Sequence, residues 1–287
     1  MKQTIKNWQA HCLNINKKMA DHVQRYITPI SLEIDSDGGN LIGTGNYIRL
    51  GNAVYILTNE HVARAMSAGS LAHLPVPEEN FHRMVNPFMA LECPDDIALS
   101  RLDRLGHDVF SRAVIQKDQI AHEWVSARES LYFVMGFPGS KSYMSVMANT
   151  LFTPAVPFLT QEATSLPIDI SLGEFALHYP EYERLKKTNG REESLPNPSG
   201  MSGSLVWHIG NSLSRYWSTA DARVVGLLYG WDPKHEIIRG IKIESIRHSC
   251  IYLLRQECAY FRWLDGGRRS CSLLSDWLYA EGSIPDI

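Results

Sequence analysis

The sequence predicts an all-β protein of two packed barrels, with helices confined to its two ends. Three observations carry this. Short apolar runs rich in Val, Ile, Tyr and Phe alternate with Gly, Pro, Asn and Asp turns from Ile30 to Ile243. These runs fall into two successive groups, separated by a connecting region near 106–129. Helical spacing occurs only before the first group and after the second. A sandwich would satisfy the same pattern. The placement of reactive side chains favours barrels: His61 and Asp96 fall at strand ends of the first group, and Ser202 falls in the second. A cleft between two barrels brings such residues together.

In chain order, Ile15, Met19, Val23 and Tyr26 share one helical face, with Trp8 and Cys12 one and two turns earlier. Residues 1–27 thus read as an N-terminal helical extension, ended by Pro29. A first barrel spans 28–125. Its strands run over 30–34, 41–50 and 53–57, with the turns 36–39 and Gly51-Asn52 between them. Residues 71–92 read as irregular, with prolines at 75, 77 and 87, before a strand over 97–102. A second barrel spans 126–245, with strands over 131–137, 143–152, 155–160, 166–171, 174–179, 204–209, 223–230 and 237–243. The intervening segment 180–195 is too charged for a core and reads as a surface loop. Residues 246–287 read as a C-terminal helical segment, with a second helical stretch near 271–279.

Composition narrows the function classes. With 287 residues, 44% of them hydrophobic, the chain has enough apolar surface for one large core or two smaller ones. A net charge of −3 and no long basic run argue against nucleic acid or an anionic membrane as partner. No apolar run approaches the ~20 residues that cross a bilayer. The N-terminus lacks the apolar core of a signal peptide. The five cysteines form an odd set without C-x-x-C spacing and read as free thiols in a reducing cytosol. The eleven histidines show no zinc-ligand spacing, so the sequence predicts neither metal nor cofactor.

The chain is organised around Asn197-Pro198-Ser199-Gly200-Met201-Ser202-Gly203-Ser204, followed by the apolar strand from Leu205. A Gly-rich turn can present Ser202 while neighbouring N–H groups converge on a carbonyl oxygen. An isolated hydroxyl is a poor nucleophile at neutral pH and needs a base. His61, in Leu57-Thr58-Asn59-Glu60-His61-Val62, is the candidate base. Asp96, in Asp95-Asp96-Ile97-Ala98-Leu99, is the candidate orienting carboxylate. Asp95 is adjacent, but the following Ile-Ala-Leu favours Asp96.

These motifs, with Gly43-Thr44-Gly45 and Gly240-Ile241-Lys242-Ile243, resemble the chymotrypsin/trypsin superfamily and look most like its bacterial HtrA-like branch. The resemblance covers residues from about 41 to 245 and implies two six-stranded-type barrels of the chymotrypsin fold. It implies a serine endopeptidase acting through an acyl-enzyme. Ser202 would attack, His61 would take the proton and Asp96 would fix the His61 tautomer. The backbone of Gly200, Met201 and Ser202 would hold the oxyanion, chiefly through the Gly200 and Ser202 N–H groups. The resemblance places the primary substrate pocket at Pro196, Asn197, Leu228, Tyr229, Gly230, Trp231 and Gly240. Pro196 stands where a Lys/Arg-cleaving relative carries Asp, so an apolar preference is expected, with Asp232 or Glu236 as the carboxylates able to fold back into the pocket.

The chain departs from the family in several ways. Ser204 replaces a common second Gly, no I-V-G-G-like N-terminus is present, and the residues after Ile246 are too few for a PDZ domain. The expectation is a stand-alone cytoplasmic peptidase acting on protein or peptide substrates, with a regulatory or activating partner. The rival reading is a latent or non-catalytic module that binds a peptide between the barrels. An ester-hydrolysing G-x-S-x-G elbow is disfavoured because β-type residues, and not a helix, follow Ser202.

Overall fold

A computed structural model describes residues 2–35, 38–74, 81–102, 114–126, 130–145, 150–164, 170–180, 184–186 and 192–264. The chain begins with α1 (Lys2–Val23), whose Ile15, Met19 and Val23 are fully buried. Each such side chain contributes about 1.5–3 kcal/mol relative to exposure. Trp8, expected on the same face, stays 43% exposed one turn beyond the contact.

The first group of strands comprises β1 (Ile27–Asp35), β2 (Gly38–Leu50) and β3 (Ala53–Thr58), then β4 (Leu71–His73), β5 (His82–Arg83), β6 (Met89–Leu91) and β7 (Ile97–Leu102). They form one curled antiparallel sheet in the order β5-β4-β1-β2-β3-β7-β6. The short helix α2 (Glu60–Ala63) follows β3 directly. Residues 71–92 are therefore less irregular than expected. The edge strands β4, β5 and β6 are only two or three residues long, too short for periodicity to register.

The second group comprises β8 (Tyr132–Gly136), β9 (Tyr143–Ser145), β10 (Thr150–Phe152), β11 (Val156–Thr160) and β12 (Glu174–His178). It continues with β13 (Arg184–Lys186), β14 (Glu192–Ser194), β15 (Leu205–His208), β16 (Arg223–Asp232) and β17 (Ile237–Lys242). Six of them curl into the sheet β11-β8-β15-β16-β17-β12. The expected strand over 143–152 is a hairpin of β9 and β10. The segment 180–195, expected to be loop, contains a second hairpin pairing Arg184 with Ser194. Backbone pairing needs no apolar side chains, so a polar hairpin leaves no periodic signal. The strand expected at 166–171 and the helix near 271–279 lie outside the described residues.

Two curled antiparallel sheets, each forming a half-barrel, with terminal helices, make up the two-barrel chymotrypsin fold. The last element, α3 (Ile243–Leu264), crosses back to the first barrel. There Glu257, 8% exposed, accepts a hydrogen bond from the Tyr55 hydroxyl at 2.6 Å and faces Arg101 at 3.7 Å. A buried carboxylate needs such partners. One apolar cluster joins Ile15 and Met19 of α1, Tyr55 and Leu57 of the first barrel, Trp207 and Leu227 of the second, and Ile246 and Leu254 of α3. A separate cluster of Tyr132, Phe175, Leu177, Met201, Val206 and Leu228 fills the second barrel.

Cys12, Cys93 and Cys250 are free, as expected, but Cys258 is disulfide-bonded. The expectation of five free thiols fails there, since sequence spacing does not show what a buried cysteine on a helix faces. The argument for a reducing compartment loses that support. No helix among the described residues is long and apolar enough to cross a membrane.

Candidate active site

His61 and Asp96 are brought together at one end of the adjacent strands β3 and β7. Val54–Thr58 of β3 pairs antiparallel with Ala98–Leu102 of β7, so the end of β3 lies beside the start of β7. α2 begins two residues beyond β3, and Asp96 sits just before β7. Asp96 Oδ2 lies 2.8 Å from His61 Nδ1, and Asp96 Oδ1 accepts the His61 backbone N–H at 3.0 Å. The carboxylate is mostly buried (14% exposed), whereas the imidazole is open (42% exposed).

Neighbouring residues hold this pair. Asp96 has φ +45°, a backbone conformation tolerated by Asp more readily than by most residues. The Asn59 side chain, in the N-cap position of α2, donates to the Asp96 carbonyl at 2.9 Å and makes no cap hydrogen bond. Glu60 takes both the Nε and a terminal nitrogen of Arg64, which clamps the turn carrying His61. The Asn in the T-N-x-H run was visible in the sequence, but its target was not.

Ser202 comes from the turn between β14 and β15. Gly200 (φ +95°) and Gly203 (φ +89°) occupy the left-handed region open to glycine. The Ser199 carbonyl accepts from the Gly139 N–H at 2.7 Å, which turns the Gly200 N–H to the opposite side of that peptide. The Met201 N–H is donated to the Pro198 carbonyl at 2.8 Å and so is not offered to a ligand. Neither the Gly200 nor the Ser202 N–H has a backbone partner among the described residues.

The nucleophile turn is bolted to the first barrel through β2. The Thr44 N–H donates to the Ser202 carbonyl at 2.8 Å. The Thr44 hydroxyl donates to the Gly200 carbonyl (3.1 Å) and accepts from the Phe137 N–H (3.1 Å). Asn46 Nδ2 donates to the Gly203 carbonyl at 2.6 Å. Steric fit tightens the seam further. A Cβ on Gly43 would fall 2.7 Å from the Val62 side chain and 3.2 Å from the Ser202 carbonyl. One on Gly203 would fall 2.0 Å from the Thr44 carbonyl, and one on Gly136 2.0 Å from Ser204 Oγ. The Gly43 contacts bring Ser202 and the residue next to His61 to one spot on β2. Gly43-Thr44-Gly45 was legible as a close-packed point, but the partners of Thr44 and Asn46 were not.

Ser202 Oγ donates to the Tyr229 carbonyl at 3.3 Å, and it makes no hydrogen bond with His61. His61 and Asp96 are thus assembled, while the Ser202 hydroxyl is turned toward β16.

The residues expected at the substrate pocket are spread along the same region. The Pro196 carbonyl accepts the Tyr179 hydroxyl at 2.6 Å, and the Asn197 side chain caps the Ser199 N–H at 3.0 Å. Leu228 is buried in the second-barrel core, and Trp231 packs against that core. The space beside Gly240 is filled by the Phe175 ring, 2.2 Å from where a Cβ would stand. Gly230 has nothing within 4 Å of a Cβ position. Asp232 does not fold back into this region: its Oδ1 accepts from the Lys234 and His235 N–H groups, and its Oδ2 faces His235 Nδ1 at 2.6 Å. Glu236 is exposed.

Two residues not singled out in the sequence join the site. The Tyr229 hydroxyl donates to Glu174 Oε1 at 2.9 Å, and Arg239 donates to Glu174 Oε2 at 2.7 Å. No group of three or more metal-ligating side chains is assembled among the described residues.

No family model matches the chain, and no curated protein does. Solved structures do. The chain is similar to the Rv3671c protease from M. tuberculosis in its active form, at 13% identity over 79% of this chain and 80% of that one, with a TM-score of 0.44. It is similar to the apo MamO protease domain from Magnetospirillum magneticum, at 11% identity, 78% and 95% coverage and a TM-score of 0.45. A Glu endopeptidase in complex with MPD is similar at 14% identity, 78% and 90% coverage and a TM-score of 0.45.

Proposed function

We propose that the protein is a serine endopeptidase that cleaves peptide bonds through Ser202, His61 and Asp96. The observation that carries this reading is the double contact between Asp96 and His61, which leaves the imidazole exposed beside the nucleophile turn. With Nδ1–H held by the carboxylate, Nε2 is the nitrogen left to accept a proton. In this reading the Ser202 hydroxyl leaves the Tyr229 carbonyl and turns to His61 when substrate binds. His61 then takes the hydroxyl proton as Oγ adds to the scissile carbonyl, and the Gly200 and Ser202 N–H groups receive the oxyanion. Collapse returns the proton to the leaving amine and leaves an acyl-enzyme, which water hydrolyses by the same route. Beyond Leu227, β16 has β17 on one side and, among the described residues, no strand on the other, so an extended substrate can add along Tyr229–Asp232.

The Ser202–Tyr229 hydrogen bond favours a second reading, a latent form that holds a peptide or partner protein without cleaving it. Labelling with a fluorophosphonate probe separates the two. Labelling of the wild-type protein that disappears in Ser202→Ala supports the hydrolase. Peptide binding without labelling supports the latent module. The cytoplasmic setting and the HtrA-like affinity belong to the same proposal.

A further inference from the structure

We infer that the face of β16–β17 next to Ser202 is a subsite for an acidic side chain, built on Arg239. This rests on the proposed addition of a peptide along β16. Gly230 and Arg239 are register partners in the antiparallel pair, so their side chains share a face. It is the face opposite Gly240, whose own side is closed by Phe175. At Gly230 that face is empty, and Arg239 stands beside the opening with its guanidinium carbon 5.9 Å from the Tyr229 ring centroid.

The hydrogen-bond inventory then decides the ligand. Both oxygens of Glu174 are taken, one by the Tyr229 hydroxyl and one by Arg239. A guanidinium carries five N–H donors, and that of Arg239 uses a single nitrogen on Glu174. Its Nε–H is buried and has no partner among the described residues. Glu174 already spends its charge on Arg239, while the second terminal nitrogen of Arg239 makes no hydrogen bond among the described residues and the side chain is 30% exposed. That nitrogen can donate to an entering carboxylate in a charge-assisted bond, whereas an entering Lys or Arg side chain meets the guanidinium charge.

Register identifies the substrate position. The residue whose carbonyl faces Ser202 lies opposite Tyr229, whose carbonyl Ser202 Oγ already reaches. In an antiparallel addition the residue before it faces Gly230. The acidic side chain is thus the second residue before the scissile bond. This differs from the primary pocket, for which an uncharged residue is expected.

The test is cleavage of a randomised decapeptide library by the wild-type protein, with cut sites mapped by mass spectrometry. Glu and Asp should exceed Gln and Asn at the second position by about 10-fold, the value expected for one hydrogen bond to a charged group. Arg239→Gln should bring the ratio to about 1, while Glu174→Gln, which removes a like charge, should widen it. No acidic enrichment in the wild type, or enrichment that survives Arg239→Gln, overturns the subsite. Cleavage without acidic enrichment sinks the subsite and leaves the hydrolase standing. If nothing is cut or labelled, the hydrolase reading falls instead. In that event the acidic-to-amide ratio among library peptides retained by immobilised protein, wild type against Arg239→Gln, decides the subsite. A library from which nothing is retained overturns it.

Discussion

Asp96 holds His61 at two points, through the imidazole Nδ1 at 2.8 Å and through the backbone N–H at 3.0 Å. The second contact fixes where the residue stands, and the first fixes which ring nitrogen keeps its proton. Asn would preserve the backbone contact through its oxygen but present an N–H to Nδ1. Asp96→Asn should therefore keep the fold and lower kcat/KM by about 10,000-fold, comparable to losing the correct tautomer in other triads. Ser202→Ala should abolish fluorophosphonate labelling altogether. Peptide turnover and thermal melting of both variants check this, and an Asp96→Asn protein with near-normal turnover removes Asp96 from the proposed triad.

Thr44 joins the barrels through one hydroxyl. Thr44→Val keeps the shape but strands the Phe137 N–H and the Gly200 carbonyl. Each unsatisfied buried group costs about 1–3 kcal/mol, so urea unfolding should report a loss of about 2 kcal/mol or more. Thr44→Ser should recover most of it.

The two glycines nearest the substrate groove should respond oppositely to alanine. At Gly203 the added Cβ meets the Thr44 carbonyl at 2.0 Å with φ at +89°, so Gly203→Ala should destabilise by more than about 4 kcal/mol or prevent folding. At Gly230 nothing stands within 4 Å, so Gly230→Ala should change stability by no more than about 0.5 kcal/mol. Comparing expression and melting of the pair is sufficient.

Acid should weaken the first barrel through His73. Burial, and secondarily the charge of His82, lowers its pKa from 6.5 to about 4. The folded state thus keeps His73 neutral where the unfolded chain binds a proton. The unfolded state binds more protons between these values, so this part of the stability is complete above pH 6.5 and is lost as pH falls toward 4, by up to about 3 kcal/mol. Wild-type urea midpoints should drop from pH 7.5 to pH 5, and His73→Gln should drop less.

For the residue just before the scissile bond, Lys and Arg should be poor. Asp232 is committed to its own turn and to His235, so a cation there lacks that carboxylate as a partner. The same cut-site map reads this position. Dominant cleavage after Lys or Arg refutes it.

The local motifs made His61, Asp96 and Ser202 visible in the sequence because each is embedded in a short run whose chemistry is local. The two half-barrels were legible for a similar reason, since their longer strands alternate or are continuously apolar. What stayed hidden depends on distance along the chain. Glu174 and Arg239 are 65 residues apart, and Thr44 lies 156 residues from the Gly200 carbonyl it holds. No spacing rule pairs such residues before the sheet register is known. The hairpin of β13 and β14 was missed because its mostly charged sequence shows no apolar alternation. The direction of the Ser202 hydroxyl is set by a carbonyl on β16, and carbonyls carry no sequence signature.

The contacts at Gly43, Gly136 and Gly203 also govern how such a chain can be recombined. Each is a key whose lock is another stretch of chain: Gly43 against Val62 and the Ser202 carbonyl, Gly136 against Ser204, Gly203 against Thr44. A hybrid with its crossover between the barrels would take the Thr44 side from one parent and the Gly203 side from another, and a shift of a few tenths of an ångström in either would jam the fit. Crossovers at the inner ends of α1 or α3 leave this interlock intact. Gene shuffling with a related sequence should therefore return folded hybrids with terminal breakpoints and few with breakpoints in the connecting region.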